Sequence, residues 1–338
     1  MEELLQSIAD EIKDIFDTDI ETTQTATVPT RNDATLTFSR GITKKGKLLE
    51  TCVLFIDIRN STRISKRLKA DKRRLGKIYS AFVHAMSRIA DEYGFVRNII
   101  GDRVMVVFDA EDCYARAVKC AILMYTVSMK MLKIHSALDD FKVGIGIEHG
   151  EMLVLKAGIP KRHEEQSEYK NLVWVGDTAN VASKLTDYAA KEYNAPIYKV
   201  TYESVNFERV LKTHRTQYPL ADLYFNRTPQ PPEFEFKTVT RTSTISLNQA
   251  EFAAKVTLLN NEAKYDGYKV TNISKENRNG YSSPILMSAK VFSEWEKKDS
   301  KSTLLQYFSK KDYPDGPYVL NGIYGGSAIL PEIKNIKI

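Results

Sequence analysis

The feature that most constrains the fold is an apolar run that ends at an acid. Residues 51–65 read TCVLFIDIRNSTRIS, in which β-forming residues lead directly to Asp57. A short continuous run of such residues predicts a strand that is buried on both faces. Asp102 interrupts a similar apolar stretch, VRNIIGDRVMVVF, at a turn between two strands. Two carboxylates at the edge of an apolar sheet predict a site for two divalent cations and a nucleoside triphosphate.

Each acid could instead have a purely structural role. A single Asp at the end of a strand is more often a helix cap or a turn residue, whereas two on neighbouring elements favour a metal site. A buried carboxylate is costly unless it is paired or bound to a cation. Ile58 would contribute only its carbonyl oxygen, a hard ligand of the kind that Mg²⁺ accepts. The predicted metal ligands are therefore Asp57, Ile58 and Asp102.

Helical spacing of apolar residues recurs along the chain. In residues 3–17 it predicts an amphipathic helix that either covers the core or contacts a second copy of the chain. A further helix follows Asp57, where Asn60 to Thr62 offer capping side chains and free backbone N–H groups that suit phosphate oxygens. Thr62 is therefore a predicted substrate contact. Residues 112–135 are predicted to form the next long helix.

Paired strands are predicted on either side of that long helix. FVRNII and RVMVVF flank a tight turn at Gly101 and Asp102. The stretch KVGIGIEHGEMLVLKAG predicts a second hairpin, turning near His149 and Gly150, whose other glycines would let a backbone or a ligand approach closely. After a polar insert, NLVWVGDTANVASKLTDYA predicts a strand, a turn and a helix with Asn180 and Lys184 on one face.

Prolines mark the predicted domain boundary. Strands at APIYKV and LADLYF are expected to close a first domain, residues 49–226, which follows an N-terminal helix and connector, residues 1–48. Residues 227–232, RTPQPP, predict a linker. Beyond it, the alternating Tyr- and Asn-rich sequence of residues 233–338 predicts a smaller β-rich domain.

Composition is typical of a soluble intracellular protein. Of the 338 residues, 43% are hydrophobic and 27% are charged, which supports a sizeable core. The net charge is +6, but Lys and Glu are interspersed, so we expect a solvated basic surface and no nucleic-acid binding. Cys52, Cys113 and Cys120 lack metal-ligand spacing and predict reduced thiols in a cytoplasm. The acidic N-terminus is not typical of a signal peptide, and no apolar run approaches the ~18 residues of a membrane span.

Four motifs, in order, resemble the signatures of class III nucleotidyl cyclase domains. They are FIDIRNST, IIGDRVMVVF, KVGIGIEHGEMLV and VGDTANVASKL, within residues 50–226. The resemblance implies an α+β fold with a ferredoxin-like βαββαβ core, and a homodimer whose active sites are shared across the interface. It also implies conversion of a nucleoside triphosphate to a 3′,5′-cyclic monophosphate and pyrophosphate, with two Mg²⁺ or Mn²⁺ ions per site.

The same resemblance implies roles for individual residues. Asp57 and Asp102 match the two metal acids, which help the 3′-hydroxyl attack the α-phosphate. Asn180 matches the asparagine that orients the ribose, and Lys184 stands where the family usually has an arginine that stabilises the transition state. A lysine keeps the charge but loses the bidentate fork. Lys142 matches a basic position that can contact the β-phosphate.

Two departures from the family pattern concern the triphosphate and the base. The later Lys-Gly phosphate-binding segment is not recognisable, and Lys212 or Arg215 are the candidates to replace it. Adenylyl cyclases have Lys four residues before the second metal acid and Asp or Thr three before the Gly of the last motif, whereas guanylyl cyclases have Glu and Cys. This chain has Asn98 and Val173. Neither purine code is present, so altered base specificity is expected.

Retained metal acids with non-purine base positions resemble the pyrimidine cyclases of bacterial antiphage Pycsar systems, which make cCMP or cUMP. We therefore predict a cytoplasmic, homodimeric pyrimidine cyclase whose product activates a separately encoded effector. CTP is slightly favoured over UTP, since the Asn98 amide can accept from or donate to either base edge. The second domain resembles sensor-like modules of some defence cyclases. A purine cyclase with a divergent pocket and a non-catalytic nucleotide-binding regulator are the alternatives.

Overall fold

The computed structural model describes most of the chain, which divides into two units. The predicted phosphate contacts Lys212 and Arg215, the predicted strand LADLYF and the linker 227–232 lie outside the described residues. The described residues are 1–37, 43–158, 170–205, 240–259, 262–311, 313 and 322–336.

Helices form where apolar residues repeat every three to four positions. In the longest one Ile78, Phe82 and Met86 are buried along one face, and Asp71 caps its start by accepting a hydrogen bond from Arg74 N at 3.0 Å. Among the described residues the helices are α1 (Glu2–Asp17), α2 (Ser61–Arg67), α3 (Lys72–Tyr93), α4 (Cys113–Val127), α5 (Lys133–Ser136), α6 (Asp177–Tyr188), α7 (Gln249–Lys255) and α8 (Ala289–Lys298), with a π-helical turn, Ser128–Leu132, between α4 and α5.

The strand that leads to Asp57 is buried on both faces, as predicted. Cys52 and Leu54 pack into a core with α3 and α4, while Leu49 and Val53 pack against Ala182 of α6. The described strands are β1 (Ile20–Thr25), β2 (Lys44–Ile58), β3 (Phe95–Ile100), β4 (Arg103–Val107), β5 (Val143–Gly158), β6 (Lys170–Val175), β7 (Glu192–Val205), β8 (Thr240–Asn248), β9 (Val256–Leu259), β10 (Glu262–Tyr265), β11 (Tyr268–Tyr281), β12 (Ile285–Ser288), β13 (Phe308–Lys311) and β14 (Ile323–Gly326).

Unit 1 contains a sheet whose nine described strands run β13-β14-β12-β5-β2-β4-β3, with β1 paired to β2 and β6 to β5. The stretch β5-β2-β4-β3, with α2 and α3 between β2 and β3 and α4 between β4 and β5, has the strand order of a ferredoxin-like βαββαβ core. The predicted α+β core is therefore confirmed. Residues of α3, α4 and α8 cover one face of this sheet, and α6 covers the other.

The predicted hairpin at His149 and Gly150 is wrong, because β5 runs without a turn from Val143 to Gly158. It pairs with β2 along almost its whole length, from Ile58↔Val143 to Lys47↔Val154, so its backbone groups are already bonded and nothing favours a turn there. Gly150 is instead a point of close approach, since a Cβ there would lie 2.5 Å from Thr178 Oγ1 of α6.

Two other glycines of β5 behave as predicted and let a second backbone come close. A Cβ at Gly144 would lie 2.8 Å from Ala189 O, and one at Gly146 would clash with Ala182 O. The backbone of α6 therefore lies directly on β5. This contact fixes the height of α6 over the end of the sheet that contains Asp57.

The division of the chain differs from the predicted one. Unit 1 comprises Met1–Lys191, Tyr281–Asp312 and Gly316–Ile338, whereas unit 2 comprises Glu192–Gly280 and Tyr313–Asp315. The segment APIYKV, predicted to close the first domain, lies in β7, which belongs to the five-stranded sheet of unit 2.

The sheet of unit 1 is completed instead by β12, which lies parallel to β5 with Ile285 opposite Ile145. Ile285, Leu286 and Met287 are 0% exposed, which suits a strand that lies between β5 and β14 with both faces covered. The chain leaves and re-enters unit 1 at one place, since Ser282 N donates to Lys191 O at 2.9 Å.

Unit 2 is β-rich, with described strand order β8-β7-β11-β10-β9. Its small core contains Val200, Leu247 and Tyr265. The short α7 starts with a reciprocal capping box between Asn248 and Glu251.

The amphipathic N-terminal helix is confirmed as α1, but none of its residues is buried. Its apolar side chains are open to solvent, among them Leu5 at 60% and Ile12 at 50% exposed. The core-covering alternative is therefore wrong for the isolated chain, and contact with a second copy stays a prediction.

Candidate active site

The structure brings the two predicted metal acids together. Asp57 lies near the end of β2, and Asp102 lies in the turn between β3 and β4. Because β2 and β4 are antiparallel neighbours with Ile56 opposite Val104, the end of β2 and this turn meet at one edge. The two carboxyl groups lie close enough for each to affect the ionisation of the other.

This arrangement makes Asp102 harder to ionise than an ordinary aspartate. Burial, the negative charge of Asp57 and the hydrogen bond to Asp57 raise the pKa of Asp102 to about 6, against an opposing hydrogen bond from Ser61. Asp102 Oδ2 is buried and has no hydrogen-bond partner among the described residues. A buried acceptor without a partner beside a second carboxylate is an environment that a cation would relieve.

Two arginines hold Asp57 in place. Its Oδ2 lies 2.9 Å from Arg59 Nη2 and 2.9 Å from Arg103 Nη2. Arg59 is 5% exposed, and its Nη1 also donates to the Asp187 carbonyl oxygen at the end of α6, at 3.3 Å. The guanidinium of Arg59 therefore caps α6 and neutralises Asp57 at once.

Arg103 extends this network to α6. Its Nη1 donates to Ser183 Oγ at 3.0 Å, and its Nη2 contacts the Asp187 carboxylate as well as that of Asp57. One guanidinium thus joins the acid at the edge of β2 to two side chains of α6. We refer to Arg59, Arg103, Asp57, Ser183 and Asp187 as the arginine clamp.

The clamp was not predicted from sequence. Arg59 and Arg103 each lie one or two residues from a predicted metal acid, which is the signal that could have found them. Their partner Asp187 lies on α6, far along the chain, so only the packing of α6 on β5 shows where the two guanidinium groups are directed.

Asn180 and Lys184 lie one turn apart on α6 and are exposed. Ser183 and Asp187 are the α6 side chains that take part in the clamp of the same chain. The predicted ribose and transition-state residues therefore face solvent in the single chain.

The structure does not place the two predicted base residues on neighbouring strands. Asn98 lies on β3, directly after a bulge between Val96 and Asn98, and Val173 lies on β6, which pairs with β5. In the sheet order β4, β2 and β5 lie between them. Asn98 is exposed and Val173 is 42% exposed.

The remaining predicted contacts surround the acids. Lys142 O accepts a hydrogen bond from Arg59 N at 2.8 Å, but the Lys142 ammonium lies over the Tyr281 ring, 4.7 Å from its centroid. Thr62 is an exposed residue in the first turn of α2. The Ile58 side chain is 2% exposed, which leaves its carbonyl oxygen as the group it can offer.

The donor set fits a hard divalent cation better than a soft metal. It consists of two carboxylates, one with an unpartnered buried oxygen, and Mg²⁺ is commonly held by one or two carboxylates together with substrate phosphates. Within the described ranges no cluster of three or more His, Cys, Asp or Glu could hold a metal. Substrate oxygens and water would therefore have to complete the coordination.

Comparison with known proteins identifies the family. Residues 44–223 match the family described as the Adenylate and Guanylate cyclase catalytic domain. This chain belongs to that family. The match begins at β2 and extends beyond α6 and β7, and so includes Asp57, Asp102 and the arginine clamp.

Curated relatives of the cyclase domain include two proteins named Uridylate cyclase. The one from Gulbenkiania mobilis is 32% identical over 169 residues, covering 47% of this chain and 64% of that protein. The one from Rhodovulum sp. (strain MB263) is 29% identical over 209 residues, covering 59% of this chain and 81% of that protein. Among solved structures, the adenylyl cyclase CyaB from P. aeruginosa is 25% identical, with a TM-score of 0.36, and the match covers 42% of this chain and 73% of that one.

Among the described residues, no helix of this cyclase is long and apolar enough to cross a membrane.

Proposed function

We propose that this cyclase converts a pyrimidine nucleoside triphosphate to its 3′,5′-cyclic monophosphate and pyrophosphate. The observation that carries the proposal is the contact between Asp57 and Asp102, where one carboxylate oxygen is buried without a partner. Two divalent cations bound there would lower the pKa of the 3′-hydroxyl and neutralise phosphate charge. Such chemistry needs few protein groups beyond those that hold and orient the substrate.

The chain's own residues have distinct parts in this proposal. Asp57, Asp102 and the Ile58 carbonyl oxygen hold Mg²⁺ or Mn²⁺ against the triphosphate. Asn180 orients the ribose, and Lys184 places a positive charge near the α-phosphate as negative charge develops there. Lys142 and Thr62 are the proposed contacts of the remaining phosphates. Lys142 must leave the Tyr281 ring to reach them.

Among the pyrimidine nucleotides, UTP is the proposed substrate. The names of the curated relatives support a uridylate cyclase, whereas the slight preference for CTP inferred from Asn98 has no support from them. Both base positions, Asn98 and Val173, are uncharged, so neither supplies a fixed charge with which to select a purine edge.

The proposed enzyme is a homodimer with shared sites. The support comes from α6, where Asn180 and Lys184 are exposed while Asp187 contacts the clamp of the same chain. In a twofold dimer each α6 could thus supply ribose and transition-state groups to the partner's acids.

The product is proposed to be a defence signal. The support is the resemblance to the cyclases of antiphage systems, in which the cyclic nucleotide activates a separately encoded effector. Cells that express this chain with its effector should survive phage better than cells with Asp57→Asn. Equal survival would contradict the role in defence while leaving the enzymatic proposal untouched.

The enzymatic proposal is tested by incubating the purified chain with each of the four nucleoside triphosphates and Mn²⁺, and separating the products by chromatography. We expect cyclic UMP and pyrophosphate in equal amounts, and neither with Asp57→Asn. Asp91→Asn is the matched control, because Asp91 is an exposed acid on α3. Cyclic product from ATP or GTP alone would contradict the pyrimidine assignment, and tight nucleotide binding without any product would favour a non-catalytic regulator.

A further inference from the structure

One short segment accounts for the net positive charge of the chain. Residues 61–77 contain eight Lys and Arg and a single acid, Asp71. The segment therefore has a net charge of +7, from eight positive and one negative residue, whereas the whole chain has +6. The remainder of the chain is thus slightly acidic, which differs from the evenly mixed surface expected from composition.

The structure gathers this charge on one surface, formed by α2, the turn after it and the start of α3. Seven of the eight cations have no salt bridge to a carboxylate among the described residues, and six of these seven are exposed. We call them the basic rim: Arg63, Lys66, Lys69, Lys72, Arg73 and Lys77.

The other two basic residues hold a groove beside the rim in shape. Arg67 forms a fork with the carboxylate of Asp140, at 2.8 and 3.3 Å, and Arg74 donates to Ser136 O at 2.8 Å. These contacts tie α2 and α3 to the turn at residues 137–140. The groove between them has a volume of about 490 Å³ and is lined by Arg63 as well.

The surface lacks features that two common anionic partners use. Its apolar residues Ile64 and Leu68 are buried, so it has no exposed apolar anchor for a lipid headgroup region. It also has no aromatic side chain to stack on the bases of a single strand. What is left is a set of six exposed positive charges, which suits a regular line of phosphates. The groove beside them is also lined by two acids, Asp139 and Asp140, of which Asp140 is paired with Arg67.

We propose that the basic rim and its groove bind the phosphate backbone of a nucleic acid duplex, without regard to base sequence. A duplex presents about one charge per 1.7 Å of its axis, so a short length of it would meet all six cations. Contacts to phosphate alone position a protein on a duplex but do not read sequence. The segment begins beside the active site, since Ser61 at the start of α2 hydrogen-bonds to Asp102, but none of the six cations of the rim has a part in the proposed reaction. The proposal does not depend on which nucleotide the cyclase uses.

The test measures binding of fluorescein-labelled 20-base-pair DNA and RNA duplexes of two unrelated sequences, by anisotropy, between 50 and 200 mM NaCl. With six phosphate contacts the logarithm of affinity should fall against the logarithm of salt concentration with a slope of about −5. Both sequences should bind equally. The variant Lys66→Gln/Lys69→Gln/Lys72→Gln should bind more weakly at every salt concentration, and its slope should be smaller by about 3.

The matched control replaces three exposed lysines elsewhere in unit 1, as Lys301→Gln/Lys310→Gln/Lys334→Gln. It removes the same net charge and should leave affinity and slope nearly unchanged. Thermal melting of both triple variants checks that they are folded.

Three results would overturn the proposal. The first is no binding of either duplex at 50 mM NaCl. The second is equal loss of affinity in the two triple variants, which would make the effect one of net charge alone. The third is that poly-glutamate or anionic phosphatidylserine vesicles bind with higher affinity than the duplex, which would assign the surface to an acidic protein or to a membrane.

Discussion

Arg103 Nη2 lies 2.9 Å from Asp57 Oδ2. The Arg103 guanidinium is therefore already paired with a carboxylate that is predicted to bind a metal ion. The same nitrogen contacts Asp187 on α6. The arginine clamp therefore acts as an internal counter-ion. A divalent cation that binds at Asp57 has to compete with it.

Arg103→Gln should have two opposite effects. In EDTA the free energy of unfolding should fall by about 1–2 kcal/mol, because charged hydrogen bonds to Asp57 and Asp187 are lost. The affinity for Mn²⁺ should rise by roughly tenfold, because a positive charge next to the metal acids is removed. Urea unfolding measures the free energy of unfolding. The paramagnetic signal of free Mn²⁺ measures the metal affinity without any need for turnover.

Arg88→Gln is the control for this pair of measurements. Arg88 meets Asp91 on the surface of α3, with side chains 75% and 78% exposed, and such pairs contribute little. Both quantities should stay close to those of the wild type. If Arg103→Gln left Mn²⁺ affinity unchanged or lowered it, the clamp would not be in competition with the metal.

Two inactive variants should restore activity when they are mixed. Asp57→Ala removes a metal acid and Asn180→Ala removes a group on the exposed face of α6, so each homodimer has two damaged sites. In a random mixture half of the dimers combine the two chains and have one intact site, which gives about a quarter of wild-type turnover. Product formation after mixing and re-equilibration is the measurement. Mixed chains that stay inactive would show that both groups act within one subunit.

The connector before β2 is pinned by an ion pair whose strength should depend on pH. Lys47 Nζ lies 2.6 Å from Asp33 Oδ2. Partial burial alone would raise the pKa of Asp33, but hydrogen bonds from Lys47 and Thr35 lower this pKa to about 2. A depressed pKa stabilises the folded state above pH ~4, and this contribution is lost as the pH falls towards 2.

Asp33→Asn should therefore lower the free energy of unfolding by about 1 kcal/mol at pH 7, once solvent screening is allowed for. The difference from wild type should be smaller at pH 3. Urea midpoints at the two pH values measure it. A cycle with Lys47→Met isolates the pair, and a deficit that is the same at both pH values would show that the ion pair is not its source.

The exposed apolar face of α1 should strengthen dimerisation. Leu5, Ile8, Ile12 and Ile15 are 42–60% exposed, and their alternating spacing of three and four residues is that of a coiled-coil seam. Ile8→Asp/Ile12→Asp should raise the dimer dissociation constant at least tenfold, because two charges would be buried in the seam. Sedimentation equilibrium measures it. Lys13→Asp, outside the seam, should leave it nearly unchanged, whereas an unaltered dimer in the double variant would assign α1 to another partner.

The sequence was sufficient to predict that the two acids lie together. Asp57 ends an apolar strand and Asp102 interrupts another, and antiparallel neighbours necessarily bring such ends together. The clamp was beyond the same reasoning. The direction of a long side chain such as Arg103 is set by Asp187 and Ser183, which reach it only through the packing of α6 on Gly144 and Gly146.

Two errors of prediction have a common physical cause. Gly150 suggested a turn, but the residue lies within a strand. A glycine fits there because Thr178 leaves no room for a Cβ atom. The four-residue strand Ile285–Ser288 was overlooked, because so short an apolar run has no periodicity and its partner β5 is more than a hundred residues away. In both cases the deciding contact is non-local, and single-sequence patterns describe only local preferences.

The late position of β12 has a consequence for how the protein is made. Its partner β5 ends at Gly158, and the chain must be synthesised to Ser288 before the two can pair. At about 5–20 residues per second on the ribosome this delay is roughly 7–26 s. During it, an apolar strand edge stays open while unit 2 emerges as an independent folding unit. The nascent cyclase should therefore depend on chaperones most strongly in that interval. Its dependence on chaperones should be weaker if a short turn between Lys191 and Tyr281 replaces residues 192–280.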